Sequence, residues 1–144
     1  MQVFIVGTPY ETAEALDYKR LKKQMIENKQ IMDAILCDGK CWIGNHPIVK
    51  SYKNHFQWFY HYHLCLFWYW RGDKPMASKM SKQAMAFKPN FHTEDYFNQM
   101  KRRLYTKDNK HYKQWANLGE SDCNWYWSYD KNKFIKYING KRIE

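Results

Sequence analysis

The 144-residue chain has no apolar stretch that could span a bilayer. The run Leu64 to Trp70 is far short of the roughly 20 residues such a helix needs. No basic segment followed by an apolar stretch and a small-residue cleavage site opens the chain, so no secretory signal is read and a soluble, cytoplasmic protein is expected. The four cysteines, Cys37, Cys41, Cys65 and Cys123, do not suggest a disulfide framework and read as ordinary thiols in a reducing compartment. A metal site joining Cys37 and Cys41 to His61, His63 and Cys65 would need alternate helix positions, which point to different faces, to share one ion. No metal and no cofactor are expected. There is no internal repeat and no low-complexity segment.

Acidic side chains are also scarce. The 14 Asp and Glu stand against 24 Lys and Arg, for a net charge of +10 and a pI near 9.4. Such an excess attracts polyanions over distances set by salt screening, and nucleic acid is the first partner to consider; a merely solubilising surface is the alternative. Aromatic residues make up 19% of the chain, more than a small core usually requires. Rings interleaved with Lys and Arg suit base stacking on a phosphate-binding surface, although most should be core.

Thr8-Pro9-Tyr10-Glu11 combines a cap, a first-turn proline and a capping-box glutamate, and predicts a short helix through Leu16. Asp17 to Leu36 has helical periodicity, with Leu21, Met25, Met32 and Ile35 on one side, Lys19, Lys22 and Lys29 on the other, and Gly39 beyond its end. From Pro47 the residues Val49, Tyr52, Phe56, Tyr60, His63, Phe67 and Trp70 recur at helical spacing and predict one long core helix ending at Arg71-Gly72. In it His63 reads as a satisfied interior imidazole. Further helices are expected over Met76 to Phe87, from the Thr93 cap to Thr106 with the basic run Lys101 to Arg103, and over His111 to Leu118 before Gly119. Trp125, Tyr126, Trp127 and Tyr129 form a poorly helical cluster. Lys133 to Ile138 with Asn139-Gly140 suggests a small hairpin or extended arm. The expected fold is all-α: a compact single-domain helical bundle over residues 1–128 with a short extended basic C-terminal arm over 129–144.

Arg20, Gln24 and Glu27 fall at i, i+4 and i+7 and line one stripe that borders the apolar face of the Asp17 to Leu36 helix. A carboxylate there is suited to proton transfer if partly desolvated; the same spacing also fits a solvated surface ladder.

The segment from Leu16 to Glu27, with Gln30-Ile31 after it, resembles the first active-site helix of the pyrimidine-dimer DNA glycosylase and abasic-site lyase family, most closely its bacterial branch. Met1-Gln2-Val3-Phe4 resembles that branch's opening. His46-Pro47-Ile48-Val49 with Tyr52, Arg71-Gly72, and Lys107-Asp108 with His111-Tyr112 resemble further elements in the same order, so that the resemblance runs from Met1 to Trp127.

The resemblance implies a bacterial or phage-infected cell, a monomer acting on double-stranded DNA that is bent with a flipped nucleotide, and catalysis by a terminal amine. Gln2 is large where the phage members have a small second residue, and retention of Met1 would make its own amine the nucleophile, with Glu27 handling protons. An α-amine, with a reference pKa of about 7.7 to 8.0 against about 10.4 for Lys, is far more often neutral at physiological pH. The implied DNA-binding residues are Arg20, Lys23, Gln24, His46, Lys50, Lys101, Arg102 and Trp127. Lys131, Lys133, Lys136, Lys141 and Arg142 of the arm would add phosphate contacts. The expected substrate is a pyrimidine dimer or another damaged or modified base; the alternative is a DNA-binding module on the same scaffold that does not cut.

Overall fold

The computed structural model describes residues 1–37, 44–118, 123–128 and 130–143. The sequence features at Gly39, Cys41, Gly119 and Tyr129 lie outside them. The chain divides into two compact units, Met1–Pro89 and Asn90–Glu144. The expected boundary at 128/129 lies between the strands Cys123–Ser128 and Lys133–Ile138.

The first unit opens with a run outside helix and strand, Val3 to Val6, whose four apolar residues are all buried. Helix α1 (Pro9–Ala15) follows with the expected capping box: Thr8 Oγ1 accepts from the Glu11 N–H, and the Thr8 N–H donates to Glu11 Oε1. Helix α2 (Tyr18–Leu36) is capped by the Asp17 carboxylate. Its buried stripe is Leu21, Gln24, Asn28, Ile31 and Ala34. Met25, Met32 and Ile35, which the periodicity put at the core, are only half-buried. The stripe is rotated because Gln24 faces inward to meet the backbone of the N-terminal segment, with Asn28 behind it accepting from Gln24 Nε2.

The long helix expected from Pro47 is two helices, α3 (Pro47–Tyr52) and α4 (Phe56–Trp70). Between them the Lys53 N–H turns back to the Lys50 carbonyl and the His55 N–H to the Tyr52 carbonyl. This break resets the helical phase. In a continuous helix residues 52 and 58 would lie on different faces; here the Tyr52 and Trp58 rings stack at 5.3 Å, and Trp58 stacks on Tyr62 at 4.9 Å. The core of α4 is therefore Trp58, Phe59, Tyr62, Cys65 and Leu66, while Tyr60 and Trp70 of the expected stripe are exposed. Helix α5 (Lys74–Met85), capped by Asp73, packs on α4 and is tied to α1 by the Tyr10 N–H, which donates to Ser81 Oγ at 3.1 Å.

In the second unit helix α6 (Glu94–Lys107), capped by Thr93 as expected, is followed by a 3-10 helix, Lys113–Leu118. The chain then forms β1 (Cys123–Ser128), β2 (Lys133–Ile138) and β3 (Lys141–Ile143), an antiparallel sheet in the order β1-β2-β3. The fold is thus helix-dominated but mixed, and the all-α expectation is wrong at this end. The aromatic cluster is a strand: Trp127 packs edge-on against Phe134 of β2 at 5.4 Å, and Phe91 and Tyr96 cover Phe134 from α6 and its approach. Asn139 and Gly140, both at positive φ, make the two-residue turn into β3.

No helix among the described residues is long and apolar enough to cross a membrane. Cys37 is disulfide-bonded, which corrects the expectation of four ordinary thiols; spacing arguments do not tell which thiols the fold brings together. Cys65 is buried and free, and burial pushes its thiol up to about 12.

Candidate active site

A buried backbone without a partner strand must satisfy its polar groups some other way. In residues 2–6 the partners are side chains. The Gln2 N–H donates to Glu27 Oε2 at 3.3 Å. Gln24 of α2 donates from Nε2 to the Gln2 carbonyl at 2.9 Å and accepts the Phe4 N–H on Oε1 at 3.0 Å. The Tyr62 hydroxyl of α4 donates to the Phe4 carbonyl, and Thr12 Oγ1 accepts the Val6 N–H. The chain start is thereby fixed beside the half-buried Glu27 carboxylate.

His46 completes this corner. It caps α3 by accepting the Ile48 N–H on Nδ1 at 3.2 Å. That acceptor role puts the proton of the neutral ring on Nε2. Burial lowers the His46 pKa, and the positive charge of the chain's α-amine lowers it further. The amine, the Glu27 carboxylate and the His46 imidazole therefore belong to one electrostatic neighbourhood, assembled from the first residues, the middle of α2 and the start of α3.

The other expected binding residues fall into three groups. Lys23 is exposed on α2 and Lys50 is half-buried in the last turn of α3. Arg20 is paired with Asp17 at 3.2 Å, so one guanidinium edge is already engaged. Gln24 is 1% exposed, and both its amide hydrogens are used, since Nε2 also donates to Asn28 Oδ1 at 2.8 Å. It holds the protein's own backbone, and neither amide hydrogen is left for the DNA contact expected of it. Lys101, Arg102 and Trp127 belong to the second unit: Lys101 lies over the Trp115 ring at 5.9 Å, Arg102 is half-buried, and the Trp127 indole N–H is buried without a partner among the described residues. In the arm, Lys136 pairs with Asp95 at 2.8 Å and Arg142 with Asp130 at 3.3 Å.

Sequence reasoning missed Asn28 and Tyr62. The signal for Asn28 was its place four residues after Gln24, within the stripe that also holds Leu21 and Ile31; Tyr62 was hidden by the phase error in α4. On the far side of α2 a cleft of about 480 Å³ opens toward α4, lined by Met25, Ile26, Lys29, His63, Phe67 and Trp70 among others. His63 lines it half-exposed with Nδ1 buried and unpartnered, so it is not the satisfied interior imidazole expected. Burial and then the Lys29 charge lower its pKa.

The first residues of the chain, the Glu27 carboxylate of α2 and the His46 imidazole at the start of α3 thus meet in one corner of the helical first unit. Residues 1–72, half of the chain and all of the corner just described, match the pyrimidine dimer DNA glycosylase family, and the chain belongs to that family. Its general role is that of a DNA glycosylase, with DNA as the substrate. The match stops short of the Lys107-Asp108 and His111-Tyr112 elements read in the sequence. Neither a curated protein nor a solved structure matches significantly.

Proposed function

We propose that this protein is a DNA glycosylase with abasic-site lyase activity, acting on pyrimidine dimers or another damaged or modified base in double-stranded DNA. The observation that supports the reading most directly is the 3.3 Å hydrogen bond from the Gln2 N–H to Glu27 Oε2, which brings the chain start to a carboxylate.

The nitrogen lone pair of a neutral Met1 amine attacks C1′ of the target sugar. The glycosidic bond breaks, and its electron pair leaves with the base, which takes up a proton. The resulting ammonium loses a proton, the nitrogen lone pair forms the C1′=N bond of a protonated imine, and the C1′–O4′ bond breaks with its electron pair going to O4′, which takes up a proton as the ring opens. Glu27 then accepts the proton from C2′; the C–H electrons form a C2′–C3′ double bond and the 3′ phosphate departs, cutting the strand. Reaching C1′ requires a bent duplex or an extruded nucleotide, at a cost of a few kcal/mol that a lesion reduces. Lys23, Lys50, His46 and the free edge of Arg20 serve phosphate contacts around the corner, and Lys101, Arg102 and Trp127 add contacts from the second unit.

Borohydride trapping of the untagged protein on duplexes holding an abasic site, a cyclobutane dimer or no lesion tests this reading. The expected result is a covalent adduct mapping to Met1 on the first two. Glu27→Gln keeps an acceptor for the Gln2 N–H but cannot take a proton, so it should cut no DNA and bind it nearly as well. Tight, salt-sensitive binding with no adduct on any duplex would replace the enzyme with the non-cutting module.

A further inference from the structure

The Gln2 carbonyl and the Phe4 N–H flank Val3 and, in an extended chain, point to the same side. A neighbouring residue of a parallel strand would donate to the first and accept from the second. The Gln24 carboxamide does both, at 2.9 and 3.0 Å, from a side chain that is 1% exposed. Its orientation is dictated by its partners, because a carbonyl only accepts and an N–H only donates. The buried Asn28 Oδ1, 2.8 Å from Gln24 Nε2, takes the remaining amide hydrogen.

We propose that Gln24, anchored by Asn28, is the positioning residue for the nucleophilic amine: a strand surrogate that sets the register of residues 2–4 against α2. The proposal rests on the amine-dependent chemistry above. Its consequence follows from chain geometry. With Met1 retained, the nitrogen held at Glu27 is the amide of Gln2, and the reactive amine lies one residue further out, its charge felt by His46. A slip of one residue would move the amine by about 3.3 Å, the rise of an extended chain, which is more than a near-attack geometry tolerates. Only a side chain with a donor and an acceptor at that reach can hold this register; a carboxylate lacks the donor and a thioether has neither useful group.

The test compares wild type with Gln24→Met, which keeps the volume and removes both bonds. Two quantities are read. Hydrogen exchange of the Gln2 and Phe4 amides, measured without DNA, reports the register. Single-turnover borohydride trapping on abasic DNA, beside the Kd for the same duplex, reports the amine. We expect the Phe4 amide to lose its protection, trapping to slow by about ten-fold or more, and the Kd to change by less than about two-fold, since no phosphate contact is removed. Asn28→Leu, which leaves both backbone bonds available, should give a smaller change of the same kind and serves if Gln24→Met does not fold. Unchanged Phe4 protection, or lost protection with an unchanged trapping rate, would overturn the proposal. A wild type that forms no adduct would sink the functional reading instead, with the exchange data still deciding whether Gln24 fixes the register.

Discussion

Two non-helical segments, one in each unit, are tied to a helix through the same kind of side chain. In the first unit Gln24 of α2 bridges the Gln2 carbonyl and the Phe4 N–H. In the second, Gln99 of α6, 4% exposed, exchanges both bonds with a single residue of the edge strand β1: Oε1 accepts the Trp125 N–H at 2.6 Å and Nε2 donates to the Trp125 carbonyl at 3.0 Å. The first arrangement imitates a parallel neighbour, the second an antiparallel one. The difference lies in what else holds the segment. Strand β1 is also paired with β2 from Cys123↔Ile138 to Ser128↔Lys133, so its register is fixed without Gln99. Residues 2–4 are paired with no strand among the described residues, and their register depends on side chains alone. The same amide is a closure of a sheet edge in one place and a positioning device in the other.

Swapping each glutamine for methionine breaks the comparison most sharply. Each change strands an N–H and a carbonyl that are at least partly buried, and each should lower unfolding stability by about 1–3 kcal/mol in denaturant titrations. They should part in chemistry: Gln99→Met should trap abasic DNA at the wild-type rate, while Gln24→Met should not. Equal loss of trapping in both would mean that general destabilisation, and not register, controls the amine.

Which parts of this were legible beforehand follows from the range of the interactions. Helix starts were legible because their signals are local: the Thr8 and Thr93 caps lie where the sequence puts them. The break between α3 and α4 was not, since Lys53-Asn54-His55 carries no proline or glycine and what favours the break is the Tyr52–Trp58–Tyr62 stack that forms across it. Strand β1 was missed for a similar reason: its pairing with β2 and its link to α6 are non-local, and a run of adjacent aromatics has no helical period to contradict. At the site, the family resemblance singled out Glu27 and the chain terminus, which the structure brings close. It could not reveal that Gln24 faces inward, because a polar residue at the edge of an apolar stripe fits either a solvent-facing or a backbone-facing role.

Smaller changes sharpen the contrast. Tyr62→Phe removes the hydroxyl that serves the Phe4 carbonyl but keeps the ring stack, and should cost about 1 kcal/mol. It should also raise Phe4-region exchange, because the N-terminal segment has no ladder to fall back on. In the second unit Gly140→Ala meets no atom within 4 Å of the new Cβ, yet it must adopt φ near 75°. The expected loss, again about 1 kcal/mol, is purely conformational and should leave the β1–β2 amides protected. Loss of their protection would show that the Asn139-Gly140 turn is needed to hold β1 and β2 together.

The smallest expected effect is one of pH, and it concerns the first unit. His46, His55 and His63 all have lowered pKa values, in each case chiefly because burial disfavours the charged ring; the chain's amine adds to the effect at His46 and Lys29 at His63. A folded-state pKa below the unfolded value of about 6.5 means that the unfolded chain binds more protons at mildly acid pH. The stabilisation is therefore complete above about 6.5 and is lost as pH falls through the lowered folded values. Protonation of His46 has an added local cost: Nδ1 can no longer accept the Ile48 N–H, so α3 loses its cap. Solvent reaches all three rings, which keeps the effect modest. Thermal unfolding should shift downward between pH 7.5 and 5, with amide protection at the start of α3 falling early in the descent; a midpoint and an Ile48 amide both indifferent to pH over that range would show that these imidazoles are not held neutral by the fold.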